Sequence, residues 1–321
     1  MVKPEKYSLR FKWNEHATGV AFILLFILAA VVGWPSFLQV RNLLNILRQI
    51  SYTGIISLGM TLIIISGGID LSVGSMTAFA GGITIFFINR FPGDSVFAAA
   101  SAVLFAAMFG SFCGFINGFM VTKGRIAPFI ATLGTMAIFR SLIQYLSGAG
   151  NIVSVNAVYP QIGSGVLLGI PVPVWAFLVM AGAMHLLLNN TRLGRYICAV
   201  GANEQVARYS AINVSFVKMV PYVITGLTAG LAALLWSSRI NCIQPTSDGV
   251  NYELDAIAAA VIGGTSMSGG KGSIPGTIMG AIMLGMINNM LVLGGVSSFL
   301  QQAARGLVII AAVLLQYNNN K

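Results

Sequence analysis

Charge is what this chain has least of. Of 321 residues only 8% are charged, against 56% hydrophobic, whereas an ordinary soluble domain carries about 25% charged residues. Too few polar side chains remain to cover a water-facing surface, which excludes a soluble globular protein. Histidine occurs twice, at His16 and His185. The two lie far apart with no paired carboxylates or cysteine beside them, so acid–base and metal chemistry find no constellation. Cysteine occurs three times, at Cys113, Cys198 and Cys242, without CxxC spacing. That excludes a zinc motif or a disulfide framework and leaves small apolar fillers. A phosphate-binding loop is missing too. GGTSMSGGKGS around Lys271 comes nearest to G-x-x-x-x-G-K-[ST], but Thr265 stands at the first glycine position and Gly272 where Ser or Thr would hold magnesium.

What is abundant is uninterrupted apolar sequence. No charge occurs from Ala17 to Val40, Gln49 to Ile69, Ser95 to Thr122 or Gly272 to Ala304. A spanning helix needs about 20 such residues. Stretches such as VAFILLFILAAVV lack the alternation of a barrel strand, so helices are the spanning form. The expected fold is an all-α polytopic membrane protein. Its roughly ten helices fall near 17–34, 51–67, 71–89, 95–121, 127–147, 172–189, 217–238, 254–267, 274–293 and 298–316, with the eighth short for a span. Residues 1–16 and 317–321 would be cytoplasmic tails flanking a membrane domain over 17–316. The apolar run from Ala17 exceeds the roughly 7–15 residues of a signal-peptide core, so the first helix reads as uncleaved.

The net charge of +10 is spread over short loops, the pattern of topology signals facing lipid, not of a nucleic-acid surface. With both termini inside, twelve basic residues lie on the cytoplasmic side against four outside (Arg41, Arg48, Arg90, Arg239). Arg140 and Arg305 fall within proposed spans and complete the 18; neither has a partner recognisable from sequence.

Four features break the apolar monotony. The first is the 190–216 segment, NTRLGRYICAVGANEQVARYSAINVSF, the longest cytoplasmic connection. Typical connections run about 4–6 residues, so this one reads as a docking element. Within it Asn203 reads as an N-cap, and EQVARYSA as a short helix with Val206 and Ala207 on an apolar side. The second is GMTLIIISGGIDLSVGSM at 59–76. Gly67-Gly68 stops a helix and Asp70-Leu71-Ser72 starts one, so Asp70 reads as the N-cap of a broken membrane helix. An intramembrane proton carrier is the competing reading, and the two are compatible because broken helices persist only where they line protein or a cavity.

The spacing Gly67-Gly68-x3-Ser72-x-Gly74 recurs as Gly263-Gly264-x3-Ser268-x-Gly270. Paired helix interruptions of this kind point to a transport pathway built on internal repeats, with chance the competitor in a chain of 37 glycines. Third, Gly110, Gly114 and Gly118 lay a smooth strip on one helix face for close helix contact, internal or between subunits. Fourth, Asp248, Glu253 and Asp255 belong to a polar stretch that reads as a solvated loop leading into the eighth helix, capped by Asp255.

Three motifs in one order, GMTLIIISGGIDLSVGSM, TRLGRYICAVGANEQVARYSAINV and YELDAIAAAVIGGTSMSGGKGSIPGT, together resemble the permease subunits of ribose-type ABC sugar importers. The resemblance runs from about Asn42 to Leu315. It implies a homodimer in the bacterial inner membrane, served by a periplasmic sugar-binding protein and by ABC ATPase subunits that use ATP-Mg, with no cofactor or metal on this chain and no catalytic residue. The Gly194–Ile212 region would be its ATPase-coupling segment, through Gly201, Asn203, Glu204, Ala207, Arg208 and Ile212. Met60, Asp70, Ser72 and Ser268 near the broken helices would line the path of a monosaccharide. The alternative from another class is an ion-coupled secondary transporter with Asp70 as its ion site, which leaves the 190–216 segment unexplained.

Overall fold

The computed structural model describes residues 13–91, 96–297 and 300–304, with 306, 307 and 310. Its long helices are α1 (Trp13–Val32), α2 (Val40–Ile65), α3 (Val73–Ile88), α4 (Val96–Thr122) and α5 (Pro128–Ser147), then α7 (Val172–Asn190), α10 (Val214–Ile240) and α12 (Ile274–Leu293). Between them lie the short α6 (Tyr159–Ser164), α8 (Arg192–Ala202), α9 (Glu204–Tyr209) and α11 (Tyr252–Ile262). Two short antiparallel ladders decorate the connections: β1 (Ile152–Val153) pairs with β4 (Cys242–Ile243), and β2 (Val166–Leu167) with β3 (Ile170–Pro171).

Six helices among the described residues, α2, α4, α5, α7, α10 and α12, are long and apolar enough to cross a membrane. That is fewer than the ten crossings expected. The helix expected at 298–316, with Arg305, falls largely outside the described residues. α3, with 16 residues, and α11, with 11, reach about 24 and 16 Å at 1.5 Å per residue, short of a hydrocarbon core of about 30 Å.

Two boundaries differ from the sequence reading for physical reasons. α2 begins at Val40 and not near 51, because its first turns are amphipathic: Ile46 and Ile50 are buried while Arg41 is exposed. Searching for uncharged sequence misses such turns. α11 stops at Ile262, because Gly264 takes a left-handed φ of +88° that ends the helix.

α2 is the axis of the molecule. Of its most apolar stretch 83% is buried, against 28% in α5, so α2 is lined by protein and α5 is peripheral. The glycine strip on α4 makes an internal seam. A Cβ at Gly110 would lie 2.2 Å from the Gly226 carbonyl of α10, and one at Gly114 2.2 Å from that of Tyr222. α4 and α10 therefore meet backbone to backbone, and this seam lies within one subunit.

The stretch after α10 is not the free solvated loop the sequence suggests. Arg140 of α5 donates from Nη1 to the carbonyls of Pro245 and Asp248, both at 2.7 Å. Gly249 packs on Gly74, where an added Cβ would come within 2.1 Å of the Gly249 carbonyl oxygen. Asp255 lies inside the first turn of α11, and Asn251 holds the cap position.

Candidate functional site

The 190–216 segment folds as two helices, not one. Thr191 Oγ1 accepts from Gly194 N at 3.1 Å and caps α8; Asn203 Oδ1 accepts from Val206 N at 3.0 Å and caps α9. Both helices start on an oxygen side chain because their first amides lack intrahelical partners. Ala207 is buried and Ile212 packs against the main core, so both point into the subunit. Val206, expected beside Ala207 on the apolar side, faces out at 57% exposure, and Tyr209 stands at 88%.

Glu204 is braced from two directions, by Lys218 of α10 and by Arg208 at 2.9 Å on the next turn. The Lys218 hydrogen bond, with the Arg208 contact behind it, holds the Glu204 carboxyl below its ordinary range. Of the six coupling residues read from sequence, four (Asn203, Glu204, Ala207 and Ile212) thus build and anchor the platform. Arg208 remains largely exposed beside Val206 and Tyr209. Gly201 does something different.

Gly201, near the end of α8, sits where three segments converge. A Cβ there would lie 1.7 Å from the carbonyl oxygen of Ile65, the last residue of α2, and 2.7 Å from Gly270 N. Gly270 N itself donates to the Ile65 carbonyl at 2.8 Å. The platform therefore meets the end of α2 and the α11–α12 turn backbone against backbone, beside the packed side chains of Ile197 and Val200.

Those two segments carry the echo seen in sequence, shifted by one position. At the end of α2, Gly67 N bonds to Ile64 O and Gly68 N to Ile63 O; at the end of α11, Gly264 N bonds to Val261 O and Thr265 N to Ala260 O. Both are Schellman caps with a left-handed glycine, Gly67 at φ +80° and Gly264 at +88°. Ser66-Gly67-Gly68 thus matches Gly263-Gly264-Thr265, and the recurring dipeptides are one residue out of register.

Just beyond the first cap lies Asp70, fully buried. It is not the N-cap: α3 starts at Val73 with Ser72 in the cap position, and Asp70 stands two residues earlier. Its Oδ1 accepts from Ser72 N at 2.8 Å and from Ser72 Oγ at 2.7 Å. Asn117 Nδ2 of α4 donates to Asp70 Oδ2 at 3.1 Å and to Ser72 Oγ at 2.7 Å, and Tyr222 Oη donates to the Ile69 carbonyl at 3.3 Å. A buried carboxyl group with three donors is a locked turn. Asn117 escaped the sequence reading, although it is the one amide side chain in α4 and sits beside Gly118 of the strip.

The four residues expected to line a path do not converge. Met60, Asp70 and Ser72 are completely buried, with Met60 packed in the main core; Ser268 is exposed on the α11–α12 turn. The open volume lies elsewhere. A cavity of about 470 Å³ is walled by Gln49, Tyr52 and Thr53 of α2, Trp236 and Arg239 of α10, Asp255 of α11 and Asn288 of α12, among others. From Thr53 to Ile65 is twelve residues of α2, so the cavity stands about 18 Å along that helix from the Gly201 contact.

Six membrane-length helices thus carry a polar two-helix platform. Residues 42–313 match the family described as "Branched-chain amino acid transport system / permease component", and the chain belongs to that family of permeases. It is 43% identical over 301 residues to the ribose import permease protein RbsC of Haemophilus influenzae, covering 92% of this chain and 91% of that one. To RbsC of Escherichia coli K12 it is 42% identical, covering 98% and 97%. The L-arabinose transport system permease protein AraH of the same strain is 34% identical, covering 96% and 92%. No solved structure matches it significantly. The chain is thus a multi-pass inner-membrane protein of the ribose-type permease family.

Proposed function

We propose that this chain is the membrane subunit of an ATP-driven importer, passing a monosaccharide of the ribose type that a periplasmic binding protein delivers. Two copies form the path, and ATP-Mg is bound and hydrolysed on separate ATPase subunits. The observation that carries the reading is the α8–α9 platform. An exposed tyrosine and valine ride on a capped, ion-paired short helix, whose neighbour α8 rests on the ends of α2 and α11–α12. An apolar knob held this rigidly on an otherwise polar loop is built for a partner's groove. Movement imposed there reaches the broken helices without passing through flexible side chains.

The test is co-purification from detergent-solubilised membranes. Wild type should retain a P-loop ATPase, and Val206→Ser with Tyr209→Ala should lose most of it while folding normally, since neither side chain supports the core. An ATPase retained undiminished by the double variant would move the contact elsewhere; none with either protein would end the ATP-driven reading.

The ion-coupled alternative turns on Asp70. Its carboxylate is enclosed by Ser72 and Asn117 and forms part of a turn, which favours a structural role. Asp70→Asn separates the two: a turn element survives it, a proton carrier does not.

A further inference from the structure

An importer of this kind needs a place where substrate rests between delivery and release, and the permease reading by itself does not say where. We propose that the cavity walled by α2, α10, α11 and α12 holds a small polyhydroxylated substrate in passage. This rests on the permease reading and adds a site to it.

The lining is the first ground. Gln49, Thr53, Arg239, Asp255 and Asn288 come from four different helices and meet around one volume of about 470 Å³. Polar and ionisable side chains on membrane helices are costly against lipid and are kept where they face protein or water-filled space. An apolar packing defect lined only by aliphatic side chains would stay dry; here Ile50, Ile240, Leu284 and Ile287 share the lining with the polar set.

The chemistry is the second. A sugar presents hydroxyls that both donate and accept, and a face of C–H groups. The cavity offers an amide pair in Gln49 and Asn288, a hydroxyl in Thr53, and a carboxylate and a guanidinium in Asp255 and Arg239, a mixed set of donors and acceptors. Trp236 supplies a flat wall, set edge to face against Tyr52 with centroids 5.4 Å apart and planes at 81°. The volume falls within the roughly 300–1,000 Å³ of small-molecule pockets.

The third ground is mechanical. Two of the four walls are α2, which ends at the platform, and α11, which leads into the turn that meets it. α2 ends on the Gly201 contact itself, and α11 enters the turn whose Gly270 bonds to Ile65. A rigid helix moved at one end moves at the other, so displacement of α8 changes the distance between the cavity walls. Substrate would then be held in one state of the platform and released in the other, as a difference in affinity between two states requires.

The experiment measures uptake of radiolabelled D-ribose, D-allose and L-arabinose in cells where this chain is the sole permease for them. Thr53→Trp, which fills the cavity, and Asn288→Leu, which removes its amide, are compared with wild type, with ATPase co-purification as the check on folding. A second arm follows modification of Thr53→Cys by a water-soluble methanethiosulfonate, above the background of the native cysteines. The inference expects uptake to fall at least tenfold in Thr53→Trp with the ATPase still bound, and the transported sugar to slow modification at least threefold. Uptake within twofold of wild type in both variants would overturn it, as would modification indifferent to a sugar that is being transported. If wild type carries none of the three sugars, the sugar-import reading itself fails and the inference falls with it.

Discussion

The C-terminal end of α2 and its middle solve opposite problems. At Ile65 the chain packs backbone against backbone. Gly201, Gly270 and the α2 terminus touch so closely that one added methyl would overlap a carbonyl oxygen. At Thr53 the surrounding helices stand apart and leave room for a cavity lined with amides, hydroxyl and charge. Close-packed contacts transmit displacement because they cannot absorb it. An open cavity accommodates a guest because its walls are not yet in contact. The same helix thus serves as a lever with a stiff end and a loose middle.

That contrast can be broken from the stiff end most severely. Gly201→Ala forces a Cβ to within 1.7 Å of the Ile65 carbonyl. α8 must move away, at an overpacking cost of about 1–3 kcal/mol. Uptake should fall by more than tenfold while Tyr209 still recruits the ATPase, so transport and co-purification separate. Gly134→Ala is the control, because nothing among the described residues lies within 4 Å of its new Cβ; it should leave uptake within twofold.

The locked turn just past the stiff end gives the next effect. Asp70→Ala strips the Ser72 amide and the Asn117 amide of their acceptor inside a dry site, costing about 1–3 kcal/mol for each group left unpaired. Asp70→Asn should cost far less. Among the described residues Asn117 Oδ1 has no hydrogen-bond partner, so a flipped Asn117 amide can accept from the new one. Thermal midpoints in detergent should rank wild type, Asn, Ala in that order. An Asn variant as unstable as Ala would show that the charge, not the acceptor geometry, holds the turn.

The smallest effect is the pH response of the platform brace. Lys218 and Arg208 depress the Glu204 carboxyl below its unfolded value near 4.5. A depressed carboxyl contributes stability above the unfolded pKa and loses it as pH falls through the folded one. Wild type should therefore exceed Glu204→Gln in thermal midpoint at pH 7, and the gap should close on acidification below about pH 4.5. Because Glu204 is 41% exposed, the gap is small. A gap that widened in acid would reverse the assigned sign.

How much of this was legible depended on range along the chain. Asn203 was readable as a cap because its acceptor serves an amide three residues on. The breaks after α2 and α11 were readable because a glycine decides its own φ. The one-residue misregister of the two caps arose because GG recurs in sequence, whereas the equivalent left-handed positions, Gly67 and Gly264, are the first glycine of one pair and the second of the other. α8 was unreadable as a helix: Gly194 and Gly201 lower its propensity, and packing on the core compensates. Val206 and Ala207 looked equivalent until α10 took the smaller one as its neighbour.

Composition and local backbone chemistry by themselves determined a helical membrane protein, its broken helices and its polar platform, since hydrophobic run length and glycine capping act over a few residues. Only the tertiary structure decided that Asn117, 47 positions away, would hold Asp70. It alone brought Gly201 onto Ile65 and Gly270, and turned side chains of four helices toward one cavity. Such contacts are set by how close two backbones can approach, and that distance is written in no single segment.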